Sequence, residues 1–113
     1  MKRILFFIAA SLLSISTSFS LAGEQTGLIK TIDIRQSDGL IYVILNGTHT
    51  NKPACAANQE YWIIKNENSS TGAKQYAALL LAYSLNRSVT IRGANACTRW
   101  SDGEDINEVV LSN

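Results

Sequence analysis

The side chains whose types could do chemistry are few: two cysteines, one histidine, a knot of carboxylates and a handful of large aromatics. His49 is the only histidine, in a polar stretch from Thr48 to Ala57. A Ser-His-Asp relay would need a serine and an acid converging on it. No Gly-x-Ser-x-Gly elbow marks a serine as nucleophile, so His49 is expected at the surface with no catalytic role. Asp102, Glu104, Asp105 and Glu108 crowd a Ser-Asp-Gly turn. Calcium takes about six to eight oxygens, but the spacing lacks the alternating ligands of an EF-hand loop. Glycoside hydrolysis needs one carboxyl held protonated, and adjacent turn carboxylates give no reason for one to be buried. The cluster is expected to be a solvated turn, with no metal, no cofactor and no enzymatic activity. Trp62 and Trp100, with Tyr42 and Tyr61, could stack on a sugar ring or fill an ordinary core. The tripeptides Asn46-Gly-Thr48, Asn68-Ser-Ser70 and Asn86-Arg-Ser88 match the glycosylation pattern, read as chance because of the bacterial-type signal described next.

Lys2 and Arg3 precede an apolar run from Ile4 to Leu13, and small residues follow up to Ser20-Leu21-Ala22. That is the layout of a secretory signal, cut after Ala22. The run falls well short of the roughly 20 residues that span a bilayer. Residues 1–22 are thus expected to be a signal peptide and residues 23–113 a single secreted or periplasmic domain, with no membrane span after cleavage. Two of the ten basic residues lie in the signal and none of the nine acidic ones, which leaves the domain near −1. Its bases are spread from Lys30 to Arg99 without a stripe, so nucleic acid and anionic membrane are not expected partners.

A domain of this size buries roughly 60–70% of its unfolded surface, and a covalent staple would help. Export takes Cys55 and Cys97 to an oxidising compartment. They have neither C-x-x-C spacing nor companion histidines, so they are read as one structural disulfide. Closing a loop of about 43 residues stabilises the fold by about 4 kcal/mol in the chain-entropy account.

The elements that must position these residues follow from period and punctuation. Gly23 to Gly27 reads as a flexible lead-in. Leu28–Arg35 alternates, with Ile32 and Ile34 on one face, and Ser37-Asp38-Gly39 turns it into Leu40–Leu45, a β-hairpin. Glu60–Lys65 predicts a third strand. From Thr71 to about Asn86 the chain is rich in Ala and Leu and predicts a helix. Its inner face is expected to carry Ala73, Tyr76, Ala77, Leu80 and Ser84. Its second side, lined by Ala78 and Ala82, is mild enough to be sunk in the domain or to meet another subunit. Asn86 is expected as a left-handed C-terminal residue. Val89–Arg92 and Ile106–Leu111 complete the order β-β-β-α-β-β, which is that of a five-stranded OB-fold barrel with its helix between strands three and four.

Thr26-Gly27-Leu28-Ile29, Ala54-Cys55-Ala56, the Trp-bearing segment, the helix with its Tyr-containing end and Ser-Val-Thr-Ile-Arg at 88–92 together give a further pattern. In them the chain resembles the B subunits of subtilase-cytotoxin and pertussis-like AB5 toxins. The resemblance runs through most of residues 26–111 in element order. It implies an OB-fold, a homo-oligomeric ring of five subunits with helices around a pore, and recognition of cell-surface glycans. In that family a serine hydroxyl at the start of the first strand helps hold the sugar. Thr26 stands at the matching position and is the ligand-binding residue the resemblance implies. The chain departs from the family in having one cysteine pair and a shorter segment after strand four.

Overall fold

The computed structural model describes residues 21–113, so the expected signal lies almost wholly outside the described residues. Those residues form a mostly β domain with one helix. Six strands, β1 (Glu24–Gly27), β2 (Ile29–Ile34), β3 (Ile41–Leu45), β4 (Trp62–Ile63), β5 (Val89–Gly93) and β6 (Glu104–Val110), make one mixed sheet in the order β1-β5-β6-β4-β3-β2. All pairings are antiparallel except β4 with β6. Helix α1 (Ser70–Ser84) connects β4 to β5 and packs on β2 and β6.

This corrects the expected five-stranded closed barrel. The ladder is open, with β1 and β2 at its two edges, and the supposed lead-in is itself a strand. Glu24 to Gly27 pairs residue by residue with Arg92 to Val89. Its inward position is Gln25, only 1% exposed, and a polar inward residue hides the alternation that reveals a half-buried strand. Leu28 alone separates β1 from β2, and its carbonyl accepts from Asn46 N–H at 2.8 Å. At this point a Gly27 Cβ would lie 1.5 Å from the Asn46 carbonyl oxygen. Only glycine lets the two chain segments approach so closely.

The expected hairpin is present as β2–β3, with Ile34 opposite Ile41. Its turn places Gly39 at φ 75°, and the Asp38 carboxylate accepts from Leu40 N–H at 3.1 Å. Ile32 packs on the core, whereas Ile34 is exposed at the hairpin's end. Inward residues from β2, β3, β5 and β6 (Ile29, Ile41, Val43, Leu45, Val89, Ile91, Ile106) surround Trp62 and close under Leu79 and Ala82 of the helix. Each such side chain contributes about 1.5–3 kcal/mol by leaving water. Cys55, in a short 3-10 turn over Ala54–Ala56, is joined to Cys97 with Cα atoms 6.2 Å apart.

Ser69 caps the helix, its Oγ accepting from Gly72 N–H at 2.9 Å. The C-terminal end is a Schellman motif: Asn86 has φ 52°, Arg87 N–H donates to the Ala82 carbonyl and Asn86 N–H to that of Tyr83. The helix's inner face differs from the expected one. Gly72, Leu79 and Ala82 are buried and Tyr76 packs against the core, while Ala73, Ala77, Leu80 and Ser84 are exposed. The run Ala77-Ala-Leu-Leu-Leu-Ala82 is nearly uniform around the helix, so period alone could not fix which stripe faces inward. The position of Gly72 decides it, because a Cβ there would sit 1.9 Å from the Asn66 carbonyl oxygen.

Candidate functional site

Two residues expected at the surface are instead the most deeply placed polar groups in the domain. Glu104, the first residue of β6, is fully buried, and so is its neighbour Asp105. The expectation of a solvated turn is overturned, because the strand begins immediately after Gly103 and carries both carboxylates inside. Glu104 Oε2 accepts from the backbone N–H groups of Gly23 at 3.1 Å and Asn95 at 2.9 Å. Its Oε1 is buried without a hydrogen-bond partner. Two glycines wall the group: a Cβ on Gly93 would lie 1.8 Å from Oε2, and one on Gly23 would lie 2.2 Å from Oε1. Burial pushes the Glu104 carboxyl above its ordinary range; the two N–H donors act against this and the nearby Asp105 charge adds to it.

His49 lies against the same corner. Its ring stacks on Trp62 with centroids 4.3 Å apart and planes 19° apart, and its side chain is 2% exposed. Its Nε2 would stand 3.2 Å from a Gly23 Cβ. Neither ring nitrogen has a hydrogen-bond partner; the Glu60 carboxylate is 3.9 Å from Nδ1. Burial, with the Lys52 charge second and Glu60 opposing, holds the imidazole below its usual pKa and therefore neutral. Beneath the stack, Trp62 Nε1 donates to Gln25 Oε1 at 2.9 Å, and Gln25 Nε2 donates to the carbonyls of Leu45 and Gly47. A histidine that stacks on a core tryptophan is held as an aromatic plate. Among the described residues neither His49 nitrogen is hydrogen-bonded to a serine.

The other carboxylates diverge. Asp105 accepts from Thr98 N–H and Oγ and from Arg99 N–H, shaping the loop that carries Cys97. Asp102 accepts from the Tyr61 hydroxyl and from Gln59 Nε2; burial first, and this hydrogen bond second, push the phenol up to about 12. Glu108 pairs with Arg92. No group of three or more His, Cys, Asp or Glu among the described residues could hold a metal ion.

Thr26 lies on the solvent side of β1, its Oγ 2.7 Å from that of Thr90 across the ladder. On the same face Arg92 pairs with Glu24 at 3.4 Å and with Glu108. The aromatics part company. Trp62 is core, while Trp100 is exposed on the 94–103 loop with the Arg35 guanidinium 4.5 Å from its ring centroid. Tyr42 and Tyr61 lie half-buried with centroids 5.4 Å apart. Arg99 grips Glu67 through two hydrogen bonds and reaches the Asp38 carbonyl. This ties the 35–39 turn to the disulfide loop.

Sequence reasoning missed Glu104, Gln25 and the two glycines facing the carboxylate. Gly93, a glycine ending a strand, signals close approach of another group, though not which group. No protein-family model, curated protein or solved structure matches this chain. The likeness to toxin B subunits therefore rests on the residues quoted for it.

Proposed function

We propose that residues 23–113 act outside the cytoplasm as a non-enzymatic binding module on the open six-stranded sheet, which assembles through helix α1 and takes a glycan on the β1–β5 face around Thr26. The observation that carries the reading is the outer side of the helix. Leu80 and Leu81 are 42% and 52% exposed on the side that carries Ala73 and Ala77, and Leu85, at the helix end, is 60% exposed. Contiguous apolar surface on a small domain marks an interaction site. A ring built around such helices would bury it.

Absence of catalysis is supported by the burial of His49 and Glu104, which keeps both side chains away from solvent. Export is supported by the Cys55–Cys97 disulfide, and no helix among the described residues is long and apolar enough to cross a membrane.

A second reading, a monomeric exported structural or inhibitor-like protein, is favoured by one observation. The Thr26 hydroxyl is already paired with Thr90, and Arg92 on that face is flanked by two carboxylates, which leaves little to grip a glycan.

Two variants separate the readings. Leu81→Glu should split the assembly in sedimentation while leaving the monomer folded, since Leu81 is 52% exposed. Thr26→Ala should lower retention on a glycan array without lowering stability. An unchanged sedimentation profile in the first and no glycan retained by the parent protein would move the conclusion to the second reading.

A further inference from the structure

The buried carboxylate of Glu104 lies at the residue where the expected signal cleavage creates a new chain end. Gly23 is buried, whereas Ala22 just before it is half-buried and Leu21 is 66% exposed. As a peptide amide, Gly23 nitrogen has one hydrogen, and it goes to Oε2. Oε1 lies beside the same residue, 2.2 Å from where its Cβ would be, and has no partner. Among the described residues no ion pair involves Glu104. The titratable groups beside it are Asp105, of the same sign, and the His49 ring, which burial keeps neutral. A fully buried carboxylate with no cation is costly unless something else compensates it.

From this geometry we infer that Glu104 is a receptor for the domain's own mature N-terminus: cleavage between Ala22 and Gly23 places an α-ammonium against both carboxylate oxygens and locks β1 onto β5 and β6. In the cleavage, water adds across the Ala22–Gly23 peptide bond. The carboxylate leaves on Ala22, and the amine released on Gly23 takes up a proton. One N–H of the ammonium keeps the bond to Oε2, and a second satisfies Oε1. The backbone already holds the residue in place, since Gly93 N–H donates to the Gly23 carbonyl at 2.8 Å.

The arrangement also explains the residue type, because any side chain at position 23 would collide with the carboxylate. It orders events as well. With Gly23 buried and Ala22 half-buried in the docked strand, cutting precedes docking, and the domain gains its full stability only after the signal is gone. The inference rests on the signal reading of residues 1–22, which the test examines first.

The full chain is expressed in a bacterium and the oxidised product recovered, and its intact mass fixes the first residue. The mature protein is then compared with a form that keeps Ala22 as an extra residue, and with Glu104→Gln versions of both. The mature form should start at Gly23 and melt about 10 °C or more above the Ala22 form, as expected for completing a buried ion pair. Its α-amine should react with an acylating reagent at least about tenfold more slowly than that of the Ala22 form, since a buried, ion-paired ammonium is withheld from the reagent. In the Glu104→Gln background the two lengths should melt together. If Glu104→Gln fails to fold, the melting and labelling comparison of the two parent lengths decides alone. A chain that starts elsewhere, equal melting midpoints of the parent lengths, or equal α-amine reactivity overturns the inference.

Discussion

Gln25 is the residue on which the first strand's position depends, and replacing it by alanine is a quantitative test of that claim. Its side chain satisfies two buried groups, the Trp62 indole N–H and the Leu45 carbonyl, and the part-buried carbonyl of Gly47. At 1% exposure, water does not stand in for it without rearrangement. Each orphaned buried group costs about 1–3 kcal/mol, and the truncated side chain leaves a cavity besides. Partial relaxation brings the expected loss to about 3–6 kcal/mol, against a total stability of roughly 5–15 kcal/mol for a domain of this kind. The assay is urea unfolding of the oxidised protein, followed by tryptophan fluorescence and far-ultraviolet circular dichroism. With a slope of about 1–3 kcal/mol per molar urea, the midpoint should fall by about 2 M or the variant should be unfolded at the outset. Thr26→Ala, one residue away on the solvent side, should stay within about 0.5 kcal/mol of the parent. A Gln25→Ala protein within about 1 kcal/mol of the parent would refute the idea that this side chain pins β1 to the core.

The remaining predictions concern the histidine and the disulfide. In the unfolded chain the His49 ring protonates near its ordinary 6.5, but in the folded domain its pKa is lower. Below pH 6.5 the unfolded state therefore binds more protons, and stability falls as the pH drops into that window. Glu104, raised by burial while Gly23 is still an amide, acts in the opposite sense, because the folded state then binds the extra proton as pH falls through its raised value. His49→Phe should keep the stack on Trp62 and remove only the histidine contribution. Denaturation midpoints at about pH 7.5 and about pH 5 measure this, and an unchanged pH difference in the variant would contradict it. Reducing the Cys55–Cys97 bond, which joins residues 42 apart, should lower stability by about 4 kcal/mol, read as a lower urea midpoint in reductant or in a double serine variant. A loss under about 1 kcal/mol would show that the two segments are held by packing instead.

The parts of the fold legible from residue order were those with local punctuation. The β2–β3 hairpin followed from its Ser-Asp-Gly turn, and the helix from its Ala/Leu run and Asn86. The cysteine pairing followed from there being only two. What stayed hidden depended on partners distant in the chain. β1 was obscured because its inward residue is glutamine, satisfied by groups from β3, Gly47 and Trp62. The helix's inner stripe was obscured because alanine and leucine lie all around it, and a close approach at Gly72 sets its rotation. Glu104 and Asp105 read as turn residues because acidity next to Gly103 looks solvated; that they enter a central strand depends on pairing with β4 and β5. His49 read as a loop residue, and its burial comes from stacking on Trp62, a contact that no local pattern encodes.

The most direct test of the proposed function is the native mass of the oxidised mature protein, measured by light scattering coupled to gel filtration. Assembly through the exposed side of the helix into the ring of five that the resemblance implies predicts a mass near five times that of the mature chain, reduced to one in Leu81→Glu. A parent protein that runs as a monomer at every accessible concentration would contradict the assembled binding module.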